Sequence, residues 1–165
     1  MNTSLLFDFS KHSNIENWTT VNDVVMGGMS QSNFRYNSNG KGVFAGKVSL
    51  ENNGGFSLLR GRIDVVEINT YKFIKLYLKG DNKKYQFRVK SSITDNFAFK
   101  TTFLTSNRDE IIKISIKDLV PYYRGRKVLE PVSLNNRIEE IGFLIANKEN
   151  EEFELQISKI ELSKI

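Results

Sequence analysis

In Phe73-Ile74-Lys75-Leu76-Tyr77-Leu78-Lys79, isoleucine and leucine take one face while lysines and aromatics take the other. A period of two is the signature of a half-buried β-strand. The same alternation recurs on either side. Tyr85, Phe87 and Val89 alternate with Gln86, Arg88 and Lys90, and Phe97, Phe99, Thr101 and Phe103 share a face. Ile112, Ile114 and Ile116 stand against Lys113, Ser115 and Lys117. Phe153, Leu155 and Ile157 are in phase, and Ile160 and Leu162 resume one residue out of phase, which predicts a β-bulge at Ser158-Lys159. Ile141-Gly142-Phe143-Leu144-Ile145-Ala146 is apolar on both faces and reads as a central, doubly covered strand. Turn chemistry separates these runs at Asn37–Gly40, Asn52–Gly55, Gly80–Asn82 and Asn147–Asn150. Only two short helical segments suggest themselves, Ser13–Trp18 with Ser13 as N-cap, and Ile116–Val120. Short strands with turn signals at about ten-residue spacing predict an all-β, two-sheet β-sandwich of jelly-roll type, with a closed barrel as the alternative.

The 165 residues suit a single domain over 1–165, large enough to hold a core without disulfide or metal. There is no cysteine, so disulfide frameworks, thiolate nucleophiles and Cys-rich zinc sites are excluded. One histidine, His12, rules out a two-histidine zinc motif, and its polar neighbours Ser10, Lys11 and Ser13 read as solvated surface. The formal charge of +5 is unevenly spread. Residues 71–101 carry eight basic and two acidic side chains, whereas 139–154 carry six glutamates and one lysine. Such a pattern is either a solvated surface or a dipolar one that orients a partner. The start lacks a basic region followed by a long apolar run, and no window approaches the length of a membrane span. The expectation is a cytoplasmic protein.

The most unusual stretch is Trp18-Thr19-Thr20-Val21-Asn22-Asp23-Val24-Val25-Met26-Gly27-Gly28-Met29-Ser30, with the only tryptophan, an amide beside a carboxylate and paired glycines. A second, Phe44 to Phe56, ends in Asn52-Asn53-Gly54-Gly55 and is followed by Arg60. Paired glycines permit positive φ and let another backbone or a ligand approach closely. Either stretch alone reads as a turn between strands. Their similar composition predicts that the two pack against one another.

These two blocks resemble the signature of the complex I intermediate-associated protein family, the thirty-kilodalton type. Looser matches follow at Tyr85-x-Phe87-Arg88-Val89, Arg124-Gly125-Arg126, Ile141-Gly142-Phe143 and Phe153-x-Leu155-x-Ile157, so the resemblance runs from about Phe7 to Ile160. It implies a galactose-binding-like β-sandwich. Mitochondrial members assist assembly of NADH:ubiquinone oxidoreductase and are not catalysts. The chain resembles the bare-domain bacterial members, and the expectation is a member without the long N-terminal extension.

The expectation is therefore a non-catalytic module that binds a protein partner, a subunit of a multi-subunit complex, without a cofactor. Its working surface is expected at the two loops: Trp18, Asn22, Asp23, Met26, Gly27, Gly28 and Ser30 from the first, Asn52, Asn53, Gly54 and Gly55 from the second. Arg60, Tyr85 and Arg88 join them, with Arg124 and Arg126 at the edge. The alternative is a module for carbohydrate or another small polar ligand, which would use the same aromatic, amide and arginine side chains. Members of the fold class often hold a structural calcium, and Asp8 and Glu161 are the oxygen ligands on offer, although two isolated acids are not a site. An enzyme ranks third, with Asp23 and Glu51 as a paired-carboxylate proposal. No phosphate loop is complete, and Tyr122–Lys127 is too short and isolated to predict nucleic-acid binding.

Overall fold

The computed structural model describes residues 2–9 and 15–165. Two antiparallel sheets face one another. The first has the order β3 (Gln31–Tyr36), β4 (Gly42–Val48), β13 (Glu151–Ser163), β6 (Phe73–Lys79) and β9 (Asp109–Ser115), with β1 (Thr3–Asp8) also on β13. The second has the order β11 (Arg126–Lys127), β10 (Val120–Tyr123), β8 (Ala98–Leu104), β7 (Lys84–Lys90), β12 (Arg137–Ile145), β5 (Ser57–Glu67) and β2 (Trp18–Asn22). The jelly-roll sandwich expected from the alternation is what forms, as two open sheets and not as a closed barrel.

The alternating runs place their apolar faces as their period requires. Ile74, Leu76 and Leu78 are buried on β6, while Tyr85, Phe87 and Val89 are buried on β7. Aromatic rings tie the sheets together: Phe153 of β13 meets Phe44 of β4 at 4.8 Å and Tyr85 of β7 at 6.4 Å between centroids. The register of β13 against β6 slips between Ile157 and Lys159, where the phase change predicts a bulge. The extra residue lets Phe153, Leu155 and Ile157 face the core before it, and Ile160 and Leu162 after it. Before the slip β13 pairs with β4, and after it the same edge pairs with β1.

Strand β12 is central, as its apolar composition predicts. Its inward residues Ile141, Phe143 and Ile145 are fully buried. Among the described residues no third sheet covers its outward positions; neighbouring side chains bury Leu144 there, and Gly142 lies at the floor of a depression. Among the described residues no α-helix forms. Ile116–Asp118 is a 3₁₀ turn leading into β10, where Val120 pairs with Lys100. Ser13 and Asn14 of the other helical segment, like His12, fall outside the described residues. The segment ends in a turn closed by the Trp18 N–H donating to the Ile15 carbonyl at 2.9 Å, after which β2 begins.

Candidate functional site

The two glycine blocks meet, and Asp23 joins them. Asp23 opens a 3₁₀ turn, Asp23–Met26, directly after β2, and it is 1% exposed. Its carboxylate accepts four hydrogen bonds of 2.5–3.1 Å, from the Ser30 N–H and hydroxyl in its own loop and from the Gly55 and Phe56 N–H groups in the other. The Ser30 hydroxyl oxygen also accepts from the Ser49 N–H at 2.9 Å. Within each glycine pair the duties divide. Gly27 (φ 91°) and Gly55 (φ 139°) supply positive φ. Gly28 and Gly54 supply room, since a Cβ there would stand 2.4 Å from Asp23 Cγ and 2.6 Å from Asp23 Oδ2. Burial pushes the Asp23 carboxyl up, but the Ser30 hydroxyl and the N–H groups of Gly55, Ser30 and Phe56 outweigh it and hold the group below the usual carboxylate range.

Around this staple the other motif residues divide into buried and exposed. Asn22 Oδ1 accepts from the hydroxyls of Ser32 at 2.6 Å and Ser57 at 2.7 Å, pinning β2 to β3 and β5. Trp18 is 5% exposed and packs against Phe7, Phe9 and Phe34. Its ring lies over Gly61, where a Cβ would come within 2.2 Å. Tyr85 is also in the core, its hydroxyl donating to Asp81, with burial and then the Asp81 charge raising its pKa. The exposed parts are the loop tips: Gly27, Asn52 and Asn53, with Val24, Met29 and Leu50 as apolar neighbours in sequence. Asn52 and Asn53 both adopt positive φ, which asparagine tolerates better than most residues. The backbone of Met26 closes the 3₁₀ turn, and its side chain lies outside the described structure. Arg124 and Arg126 sit at the β10–β11 turn, five strand spacings from β2, or about 24 Å.

Arg60 and Arg88 share a different surface. Strand pairing sets Thr19, Arg60, Gly142, Arg88 and Lys100 in one cross-strand row on the outer face of the seven-stranded sheet. The next outward row carries Arg62, Glu140 and Lys90. All of these except Lys100 line a shallow trough with Gly142 at its floor. Four cations, Arg60, Arg62, Arg88 and Lys90, thus share the trough with one carboxylate, Glu140, which stands 4.0 Å from Lys90, while the Lys100 ammonium lies 3.9 Å over the Tyr122 ring. Among the described residues the side chains of Arg60, Arg62 and Arg88 have neither a hydrogen bond nor an ion pair. Burial lowers the pKa of Arg88 against the opposing influence of Glu140, and burial followed by the Arg88 charge lowers that of Lys100. Sequence reasoning misses Arg62, Lys90, Lys100, Glu140 and Gly142 as companions of Arg60 and Arg88. The one available signal is the basic excess of residues 71–101, which contains Arg88, Lys90 and Lys100.

The paired-carboxylate arrangement is not built: both oxygens of Asp23 are consumed by the staple, while Glu51 is exposed. Nor do Asp8 and Glu161 suit calcium. Glu161 accepts from the Tyr77 hydroxyl at 2.6 Å and has Lys159 Nζ at 3.6 Å, and among the described residues no three acids or histidines gather in a way that could hold a metal ion. No described helix is long and apolar enough to cross a membrane.

Comparison with known proteins bears on the fold and the family. No curated protein is significantly similar in sequence. Among solved structures, the Family 11 carbohydrate-binding module from Clostridium thermocellum in complex with a β-1,3-1,4-mixed-linked tetrasaccharide superposes with a TM-score of 0.73. The identity is 16%, over 98% of this chain and 95% of that one. A family 29 carbohydrate-binding module, CBM29-2, gives 0.58 at 12% identity, over 99% and 93%. The agarase AgWH50C gives 0.65 at 11% identity, over 100% of this chain and 25% of the enzyme. At these identities the likeness is one of fold. The model of the family described as complex I intermediate-associated protein 30 (CIA30) matches residues 7–157, from the first strand to the last. Both glycine blocks and the staple that joins them lie inside that span, and the chain belongs to the CIA30 family.

Proposed function

We propose that this chain is a non-catalytic recognition module that binds a protein partner, a subunit or assembly intermediate of NADH:ubiquinone oxidoreductase, through the loop end of the sandwich. The observation that carries the reading is the combination of a rigid base with apolar tips. Asp23 locks the two loops together, while Val24 and Met29 remain 57% and 51% exposed. Apolar side chains held out on a pre-ordered loop suit a protein interface, because little conformational entropy remains to be lost on binding. Family membership supports the choice of partner. In native extracts the chain used as bait should capture a subunit of that complex. Val24→Asp combined with Met29→Asp should abolish capture without shifting thermal unfolding. Capture that survives the double change would refute the loop end as the interface.

The fold shared with carbohydrate-binding modules favours a second reading, a saccharide or small polar ligand. It ranks below the first because Trp18 and Tyr85, the two aromatic side chains expected to face a sugar ring, are sealed in the core. Calorimetric titration with mixed-linked β-glucan oligosaccharides should give no binding heat, and saturable heat would reverse the ranking.

A further inference from the structure

The trough on the outer face of the seven-stranded sheet shares no lining residue with the loop end. Its floor is Gly142, between Arg60 on β5 and Arg88 on β7 in the same cross-strand row. The backbone does not demand glycine there. Gly142 lacks a positive φ, and a Cβ would meet Leu59 O at 3.3 Å and Leu58 Cδ1 at 3.4 Å, close contacts but no collision. Gly61, by contrast, has no room for one. The consequence of glycine at 142 is an open seat between two guanidiniums whose strands are two spacings apart, about 10 Å. A planar carboxylate on that seat has an arginine on each side, and arginine is the side chain that binds carboxylate in bidentate fashion.

The surroundings select for negative charge. Arg88 is half-buried, burial and then the Arg88 charge lower the pKa of Lys100, and the one carboxylate in reach, Glu140, already lies between Arg62 and Lys90 in the neighbouring row. The row of Gly142 therefore carries Arg60, Arg88 and Lys100 with no acid of its own. An incoming anion would relieve the repulsion between them.

Size selects the source of the anion. The depression over Gly142 holds about 170 Å³ and opens beside a second of about 280 Å³, the two sharing Arg60, Lys90 and Glu140. Each is smaller than the roughly 300–1,000 Å³ of a pocket that encloses a whole small ligand. The first suits the end of one acidic side chain, and no aromatic side chain lines either depression to stack on a sugar ring. We infer that this trough docks an extended acidic segment of a partner protein, with one of its carboxylates seated over Gly142 between Arg60 and Arg88.

The test uses the intact chain, isotope-labelled, titrated with a hexaglutamate peptide and followed through its amide resonances. Saturable shifts should centre on Arg60, Arg88, Lys100 and Gly142, and affinity should fall by about tenfold or more between ~50 mM and ~500 mM salt. Arg60→Gln combined with Arg88→Gln should weaken binding by about tenfold or more with the spectrum otherwise preserved. Gly142→Leu should do the same by filling the seat while leaving every cation in place. If that variant fails to fold, the arginine pair carries the test alone. Several results would overturn the inference: no saturable binding at low salt, shifts spread over Lys75 and Lys113 of the other sheet, or insensitivity to the arginine changes. Tighter binding of oligogalacturonate at the same amides would also overturn it, in favour of an acidic glycan. Val24→Asp with Met29→Asp should leave hexaglutamate binding unchanged, so this site and the loop end stand or fall separately.

Discussion

The loop end and the trough are opposites in how they treat charge. At the loop end one buried carboxylate, Asp23, receives four hydrogen bonds and has no unmet demand. In the trough, Arg60, Arg62 and Arg88 have neither a hydrogen bond nor an ion pair among the described residues, and Arg60 and Arg88 flank Gly142. A satisfied buried charge holds structure together, because removing it strands its partners. An unsatisfied, accessible charge contributes little to the fold and much to what approaches it. The motif most distinctive in the sequence thus has a folding core with exposed tips, while the trough is assembled from residues that stand apart in the chain.

The strongest expected effect follows from that contrast. Asp23→Ala leaves the Ser30, Gly55 and Phe56 N–H groups without an acceptor and should cost about 3–5 kcal/mol. It should appear in urea unfolding as a lower midpoint at unchanged slope. A loss below about 1 kcal/mol would mean the loops are held by something else and would erase the distinction. Next in size is the pair of glycine substitutions. Gly61→Ala drives a methyl into the Trp18 ring and should cost about 3 kcal/mol, whereas Gly142→Ala should stay within about 1 kcal/mol. Equal costs at the two sites would show that Gly142 is there for packing and not to keep a seat open.

The acid limb of stability sharpens the same point. The folded-state pKa of Asp23 lies below the ordinary 3.8. Its contribution is then fully present above that value and is lost as pH falls from there through the depressed folded value. Asp23→Asn should consequently trail the wild type by a constant margin at pH 5 and above, about the ordinary range for an ionised aspartate, with the gap narrowing below about pH 4. Urea midpoints across that range measure it. A gap independent of pH would mean that shape, and not the ionised carboxylate, is what the loops need.

How much of this was legible in the sequence depended on the range of the interaction. The period of two in Phe73–Lys79 and Tyr85–Lys90 is a local consequence of the pleat, so the sandwich could be read from it, and so could the bulge after Ile157. The meeting of the two glycine loops was also legible, because their composition signals backbone needs. What was hidden was which side of the sheet Asp23 and Trp18 occupy: an amide, a carboxylate and an indole are equally suited to a binding cleft and to a buried staple. The trough was hidden for a different reason. Arg60, Arg88 and Gly142 become neighbours only through the pairing of β12 with both β5 and β7, and no local pattern encodes that register. The same pairing order separates Arg124 and Arg126 from the loops they were expected to border.

The smallest effect is the one that isolates the trough from the fold. Arg88→Gln removes a half-buried guanidinium that has no bonding partner among the described residues, so stability should move by no more than about 0.5 kcal/mol. The substitution should nevertheless register one strand away. Burial is the larger cause of the lowered Lys100 pKa and Arg88 the second, so removing Arg88 should raise that pKa without restoring its ordinary value of 10.5. Titration of the Lys100 side chain, followed by its Cε–H resonances in wild type and variant, separates the two causes. A full return to the ordinary value would assign the whole shift to charge. An unchanged value would remove the electrostatic coupling between the two cations and, with it, one reason for expecting an anion to settle between Arg60 and Arg88.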